Sequence, residues 1–273
     1  MKKQIIILLS FFLSTFVQAQ ETGNYLNFNV GGGSHNLSYT LQDGKESGQT
    51  GYSVNIAYSH FFTSQWGIQT GIGVQTFSTL STLNLTESTQ AIDNDGDSYF
   101  FKSNFKNWQE NQQVFFLDIP ITWQFKHRFN NKIGLLATTG AKISIPLHVT
   151  YKSTGGEIVT SGYYPQWNIE LTDIPQHGFT TITQNYSGKY NLNTAYTAIL
   201  ELGGIYKISE KVDLYAGGYF NYGLNNVLKP ETKKLFQVDK TYNGVWNSYH
   251  TTDIKPFAIG VKLGLYFNLW KNN

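Results

Sequence analysis

The sequence predicts an all-β chain: an eight-stranded antiparallel transmembrane β-barrel with long extracellular loops and short periplasmic turns. Three observations predict it. Apolar and polar residues alternate with period two over runs longer than an ordinary soluble strand. Tight and long connections alternate along the chain. Aromatic residues make up 16% of the sequence and charged residues only 14%, beside 26 glycines, where an average globular domain carries about 25% charge. In a membrane barrel the lipid-facing and water-facing positions interleave, so mean hydropathy stays low although every strand has an apolar face.

The chain opens on Lys2 and Lys3, then an apolar stretch from Ile5 to Val17, then Val17-Gln18-Ala19 with small residues at −3 and −1 of a cleavage site. Residues 1–19 therefore form an expected signal peptide. An apolar run of about 13 residues falls short of the ~20 that span a bilayer as a helix. The expected barrel domain is 20–273. There is no cysteine, which excludes lipid attachment at the cut and disulfide stapling, and the net charge of +2 with no basic run gives no pointer to nucleic acid.

Eight strands follow from the alternation. The clearest is the last, where Phe257, Ile259, Val261, Leu263, Leu265, Phe267 and Leu269 interleave with Ala258, Gly260, Lys262, Gly264, Tyr266 and Asn268. Comparable runs cover 115–125, 133–151 and 196–208, with weaker ones at 25–33, 52–62, 67–77 and 212–222. On 133–151, Val149 and Tyr151 are expected outward and His148 inward. Tight turns fall near 63–65, 127–132 and 209–211. Long connections fall at 40–50, 84–112, 152–193 and 223–252, and a barrel with both termini in the periplasm puts all four outside the cell. Outward aromatics gather at the strand ends, Phe62, Trp66, Trp123, Phe125, Tyr206 and Phe267 at one, Tyr52, Phe115, Tyr151, Tyr196, Tyr222 and Phe257 at the other. Two aromatic belts are expected at the two interfaces. Within 152–193, the pieces 167–171 and 179–183 also alternate. They are too short to span and are read as a hairpin above the membrane, although a ten-stranded barrel remains open.

The stretch Leu117-Asp118-Ile119-Pro120-Ile121, followed by a glycine-bearing strand at Ala137-Thr138-Thr139-Gly140, resembles the "LEIPL" segment of the outer-membrane β-barrel family common in Bacteroidota, which includes small PorT-like barrels. Asp118 stands where that family more often has Glu, and Lys271-Asn272-Asn273 follow Trp270 where an aromatic end is usual. The resemblance implies an OmpA-like fold in the bacterial outer membrane, without a peptidoglycan-binding domain.

Six charges fall on the inward face: Asp118, Lys142, Glu201, Lys207, Asp213 and Lys262. A barrel of eight strands is just wide enough to be filled by side chains, and buried charges need partners. A lumen network is expected, with Asp118 and Glu201 facing Lys142 and Lys262. Asp93-Asn94-Asp95-Gly96-Asp97 looks like the start of a calcium loop, but the position that should hold the closing Glu is Asn104. Asp93, Asp95 and Asp97 are thus a weak cation candidate at most, and an acidic turn otherwise. Gly31-Gly32-Gly33 precedes no helix pattern and reads as strand glycine. His35, Ser34 and Ser38 near the first long connection could meet His250 and Asp253 near the last. No spacing among them is diagnostic of a triad, so no enzyme and no cofactor is expected. The loop aromatics Trp108, Tyr163, Tyr164, Trp167, Tyr186, Trp246 and Tyr249 either recognise a partner or pack the loops together. The expected function is a structural or surface-interaction barrel, contacting outer-membrane lipid and a protein or glycan at its loops. The alternative is a small-solute pore or an accessory of a secretion complex.

Overall fold

The computed structural model describes residues 23–229 and 233–270; the expected signal peptide lies outside them. Eleven strands form one antiparallel sheet: β1 (Gly23–Leu41), β2 (Gly44–Phe61), β3 (Trp66–Ile92), β4 (Ser98–Arg128), β5 (Ile133–Tyr164), β6 (Ile169–Thr172), β7 (Thr181–Ile182), β8 (Ser187–Lys189), β9 (Ala195–Ser209), β10 (Val212–Gly223) and β11 (Thr251–Trp270). β6, β7 and β8 pair only with β5. The other eight run in the order β4-β3-β2-β1-β11-β10-β9-β5, and β4 pairs with β5 to close the ring. The barrel has eight strands, not ten.

The period-two pattern does what it predicts. On the outer face Val261, Ile121, Leu200, Leu263 and Val30 are exposed, Val261 and Ile121 to 69%. Their inward neighbours, among them Asn27, Asn29, Gln124, Thr138, Lys142 and Lys262, are buried. Exposed aliphatic side chains around a closed ring form a continuous apolar belt. On β4 it runs from Phe115 to Phe125, matching the 9–11 residues a tilted strand needs to cross a bilayer.

Two of the expected long loops are not loops. β1 and β2 meet across Gln42 and Asp43, and β3 and β4 run on to a turn at Asp93–Asp97. The physical reason is an inversion of polarity. Above the belt Leu83, Leu85, Tyr99, Phe101, Phe105 and Trp108 point inward and are buried, while Thr, Ser, Asn and Gln face out. The sheet thus continues as a wall around a second hydrophobic core above the belt. The pieces at 167–171 and 179–183 do not form a separate hairpin either. β6 and β7 are laid in succession along the upper edge of β5, at Ser161–Tyr164 and Ile158–Val159.

A bulge corrects the expected facing of the upper part of β5. Phe115 pairs with His148 and Phe116 with Pro146, so Leu147 is skipped. The shift reverses side-chain parity: Val149 and Tyr151 are buried inward and His148 is exposed. Tyr151 therefore leaves the predicted outer aromatic belt.

The interior has three storeys. At the short-turn end Phe61, Leu136, Ile205, Tyr215 and Tyr266 close the floor with Tyr25. Polar and charged side chains fill the middle. Above them a cluster centred on Phe77, Phe105, Trp108, Tyr190, Leu235, Phe236, Tyr242, Val245 and Trp246 fills the mouth.

Candidate functional site

The four lumen charges named from the sequence fall together. Lys142 Nζ lies 2.6 Å from Asp118 Oδ2 and also donates to Gln75 Oε1. Lys262 donates to Glu201 Oε1. They form two pairs, not one four-membered network. Both pairs line the same cavity with Asn29, Asn55, Gln75, Tyr219 and Asn221, where the space open to water centres is about 50 Å³. That is room for a few waters. Asp213, also predicted inward, is paired with Arg128 at 2.5 Å near the floor at the short-turn end. Lys207 does not join the lumen set: it sits at the turn end of its strand and binds Glu210, three residues on, at 2.7 Å.

The mouth is closed by the connection between β10 and β11, and two carboxylates hold it there. Glu110 on β4 is fully buried. It accepts hydrogen bonds from Tyr190 OH (2.5 Å), Tyr242 OH (2.6 Å), Gln112 Nε2 (2.8 Å) and the Val245 amide (3.2 Å). Burial pushes its carboxyl above the ordinary value, and the donors only partly offset this. The phenols of Tyr190 and Tyr242 are raised well above theirs, first by burial and then by the Glu110 charge. Glu87 on β3 accepts from the Leu235 and Phe236 amides (3.2 and 3.3 Å) and lies 3.0 Å from His250 Nε2. Burial works to raise its pKa too, but His250, the two amides and Tyr249 outweigh it and hold it below the usual value. Trp246 caps the assembly, with its ring 5.9 Å from Tyr39 and 5.1 Å from Tyr190. Leu235, Phe236, Tyr242, Val245 and Trp246 thus tie one connection to β1, β3, β4 and the segment between β8 and β9.

The lipid-outside alternation ends below Glu87 and Glu110, and Tyr190 and Tyr242 lie in connections outside the strands, so this pattern does not single them out. The signal was present in the alternation Leu83-x-Leu85-x-Glu87 and Trp108-x-Glu110-x-Gln112-x-Val114.

Other sequence candidates have separate fates. Asp93 Oδ1 accepts the Asp95 and Asp97 amides at 3.0 and 2.9 Å, and Oδ2 accepts Tyr164 OH at 3.1 Å. The Asp97 amide is the main cause holding the Asp93 carboxyl below its ordinary value. The acidic run is therefore built around an Asx turn closed by Gly96 at φ 93°. Among the described residues no three acidic, histidine or cysteine side chains are gathered to hold a metal. His35 is buried between the Thr76 carbonyl (2.9 Å) and Tyr219 OH, whereas His250 is taken by Glu87, so the two histidines serve different partners. Gly31–Gly33 lie within β1. Of the aromatics, Trp108, Tyr164 and Trp246 are buried and Trp167 and Tyr249 exposed, so the group divides between packing and surface.

No family model and no curated protein matches this chain. Among solved structures it is similar to the attachment invasion locus protein Ail of Yersinia pestis, solved with the heparin analogue sucrose octasulfate, at 11% identity over 90% of this chain and 99% of that one, with a TM-score of 0.31. It is also similar to the outer membrane protease OmpT of Escherichia coli (9% identity, 93% and 100% covered, TM-score 0.32) and to the translocator domain of the autotransporter NalP of Neisseria meningitidis (9%, 97% and 95%, TM-score 0.25). Likenesses this distant carry nothing about activity.

Proposed function

We propose that this chain is a non-enzymatic outer-membrane barrel, closed to solutes, that engages a protein or glycan at the cell surface through the β-wall standing above its membrane belt. One observation carries the reading: the interior is closed at three levels beneath a sheet that extends well past the belt. β3 and β4 continue about 15 residues beyond Phe77 and Phe115, which is ~50 Å of strand. A pore would need neither the paired lumen charges nor a connection seated in the mouth. The exposed apolar ring supports placement in the bilayer, since lipid is the solvent in which such a surface costs nothing.

The upper wall offers what recognition uses. Ile92, Phe100, Trp167 and Ile169 are exposed near its tip. Ser78, Gln49 and Asn111 form a hydroxyl–amide ladder across β2, β3 and β4, with bonds of 2.8 and 3.1 Å. The test is affinity capture from detergent-solubilised envelopes, comparing the full chain with a variant in which β3 and β4 are joined at Thr79 and Gln112. Loss of a specific partner supports the reading. Ohmic channel openings of the full chain in planar bilayers, well above leak, would overturn the closed barrel.

A further inference from the structure

We infer that the outward face of β5 and β8, just above the belt, is a docking site for the phosphate-bearing headgroup of an outer-leaflet lipid. The inference rests on the membrane reading above. Its core is a pair of cations in cross-strand register, without an ion-pair partner among the described residues. Thr150 pairs with Lys189 and Lys152 with Ser187, so the two lysines are diagonal neighbours on one face, close enough for both ammonium groups to reach one anion. The inward positions between them, Tyr151 and Ser153, are buried, while Lys152 and Lys189 are both exposed.

Their height matters as much as their spacing. The apolar run on the outside of β5 ends at Leu147, and the bulge then turns His148 outward at the level of Phe115. Lys152 and Lys189 stand on the next steps up, where headgroup phosphates lie. The bulge itself sets this face, because without the parity reversal Lys152 would point inward.

Neutralisation separates these lysines from three others of the upper strands and their connections. Lys255 is bound to Asp253 at 2.8 Å, Lys102 to Glu170 at 2.9 Å and Lys106 to Glu157 at 3.1 Å. Lys152 and Lys189 have no acidic partner among the described residues. Adjacent like charges without a counterion are unfavourable. An anion supplied by the surrounding leaflet removes that repulsion, and attraction of lysines to anionic headgroups is additive per lysine. His148 and Thr150 add a further ring nitrogen and a hydroxyl on the same face.

The experiment uses the full-length barrel in phosphatidylcholine nanodiscs doped with diphosphoryl lipid A or with lipid A from which both phosphates have been removed. Bound lipid is counted by native mass spectrometry after mild delipidation. The wild type is expected to retain the phosphorylated lipid several-fold over the dephosphorylated one. Lys152→Gln/Lys189→Gln is expected to lose that preference, with the melting temperature unchanged, and Lys255→Gln to keep it. Inorganic phosphate at millimolar concentration separates the two sources of the anion: competition as strong as that of the lipid overturns a lipid site. Equal retention by the double variant, or no preference in the wild type, also overturns the inference while leaving the membrane reading intact. A barrel that fails to enter the disc at all sinks both.

Discussion

At the scale of single residues, the deciding feature is how each buried charge is satisfied. Asp118 and Lys142 form a pair in which removal of one partner strands the other in a low-dielectric lumen. Lys142→Met is expected to cost about 3–5 kcal/mol in urea unfolding, and Lys142→Met/Asp118→Leu to recover most of it. If the single and double variants are equally destabilised, the pair is not what holds those side chains. Among the described residues Glu110 has no cation and leans on four donors. Glu110→Ala leaves them unpaired and is expected to cost about 2–4 kcal/mol, read as faster protease nicking within 233–250, whereas Glu110→Gln keeps an acceptor and costs less than half of that.

The two mouth carboxylates also respond to acid with opposite sign. For Glu110, held above the ordinary 4.5, the contribution to stability is full below that pH and is lost as pH rises through the raised value. For Glu87, held below it, the contribution is full above 4.5 and is lost as pH falls through the depressed value. The mouth is therefore most stable near the ordinary carboxyl value of 4.5, with stability declining on either side of it. In thermal scans Glu110→Gln should remove the decline on the neutral side and leave the acid-side loss in place. A variant whose neutral-side decline persists would show that another group causes it.

At the scale of elements, the connection between β10 and β11 acts as a folded stopper. Trp246 is nearly fully buried against Tyr39 and Tyr190, so Trp246→Ala is expected to loosen it by about 3–5 kcal/mol. Hydrogen exchange across 233–250 should rise while the belt strands stay protected. Conductance should not rise, because Phe61, Tyr215 and Tyr266 and the lumen pairs still block the path. A channel appearing in Trp246→Ala would mean that the lower storeys are not sealed.

The same scale shows what the sequence made legible. The belt strands and lumen charges were readable because outward Leu, Ile and Val beside inward Asp, Lys and Gly give an unambiguous period-two contrast. The upper half of β3 and β4 has the same period with the opposite polarity. Leu83, Leu85 and Phe105 point in, and Thr82, Thr86 and Asn104 point out, so a template tuned to lipid outside stops at Phe77 and Phe115. The facing of Tyr151 and His148 was hidden by a single skipped residue at Leu147, since a bulge is a property of two strands together and leaves no mark on one. The alternation of the upper strands places Glu87 and Glu110 on the inward face, but it does not give their partners, because Tyr190, Tyr242 and Val245 reach Glu110 across 80 to 135 positions of chain.

At the scale of the whole molecule, closure depends on the seam between β1 and β11. Gly33 pairs with Gly260 there. A β-carbon on Gly33 would fall on the Ile259 carbonyl, and one on Gly260 on the Gly32 carbonyl. Neither obstacle is a flexible side chain. Gly260→Val is thus expected to spread the seam, lowering the fraction of compact, heat-modifiable barrel on cold gels while outward-face changes such as Leu263→Ile leave it unaltered. Equal compact fractions for both variants would mean that the two strands pack with slack.

The stopper's place in the chain has a consequence for assembly. Residues 224–250 lie immediately before β11, and their anchors are on β3 and β4, across the ring from the seam. The last strand cannot zip onto the first without bringing the stopper over the mouth, and a contact linking the two ends of the chain is among the slowest to form. Sealing the tube and seating the stopper are consequently one late event of folding.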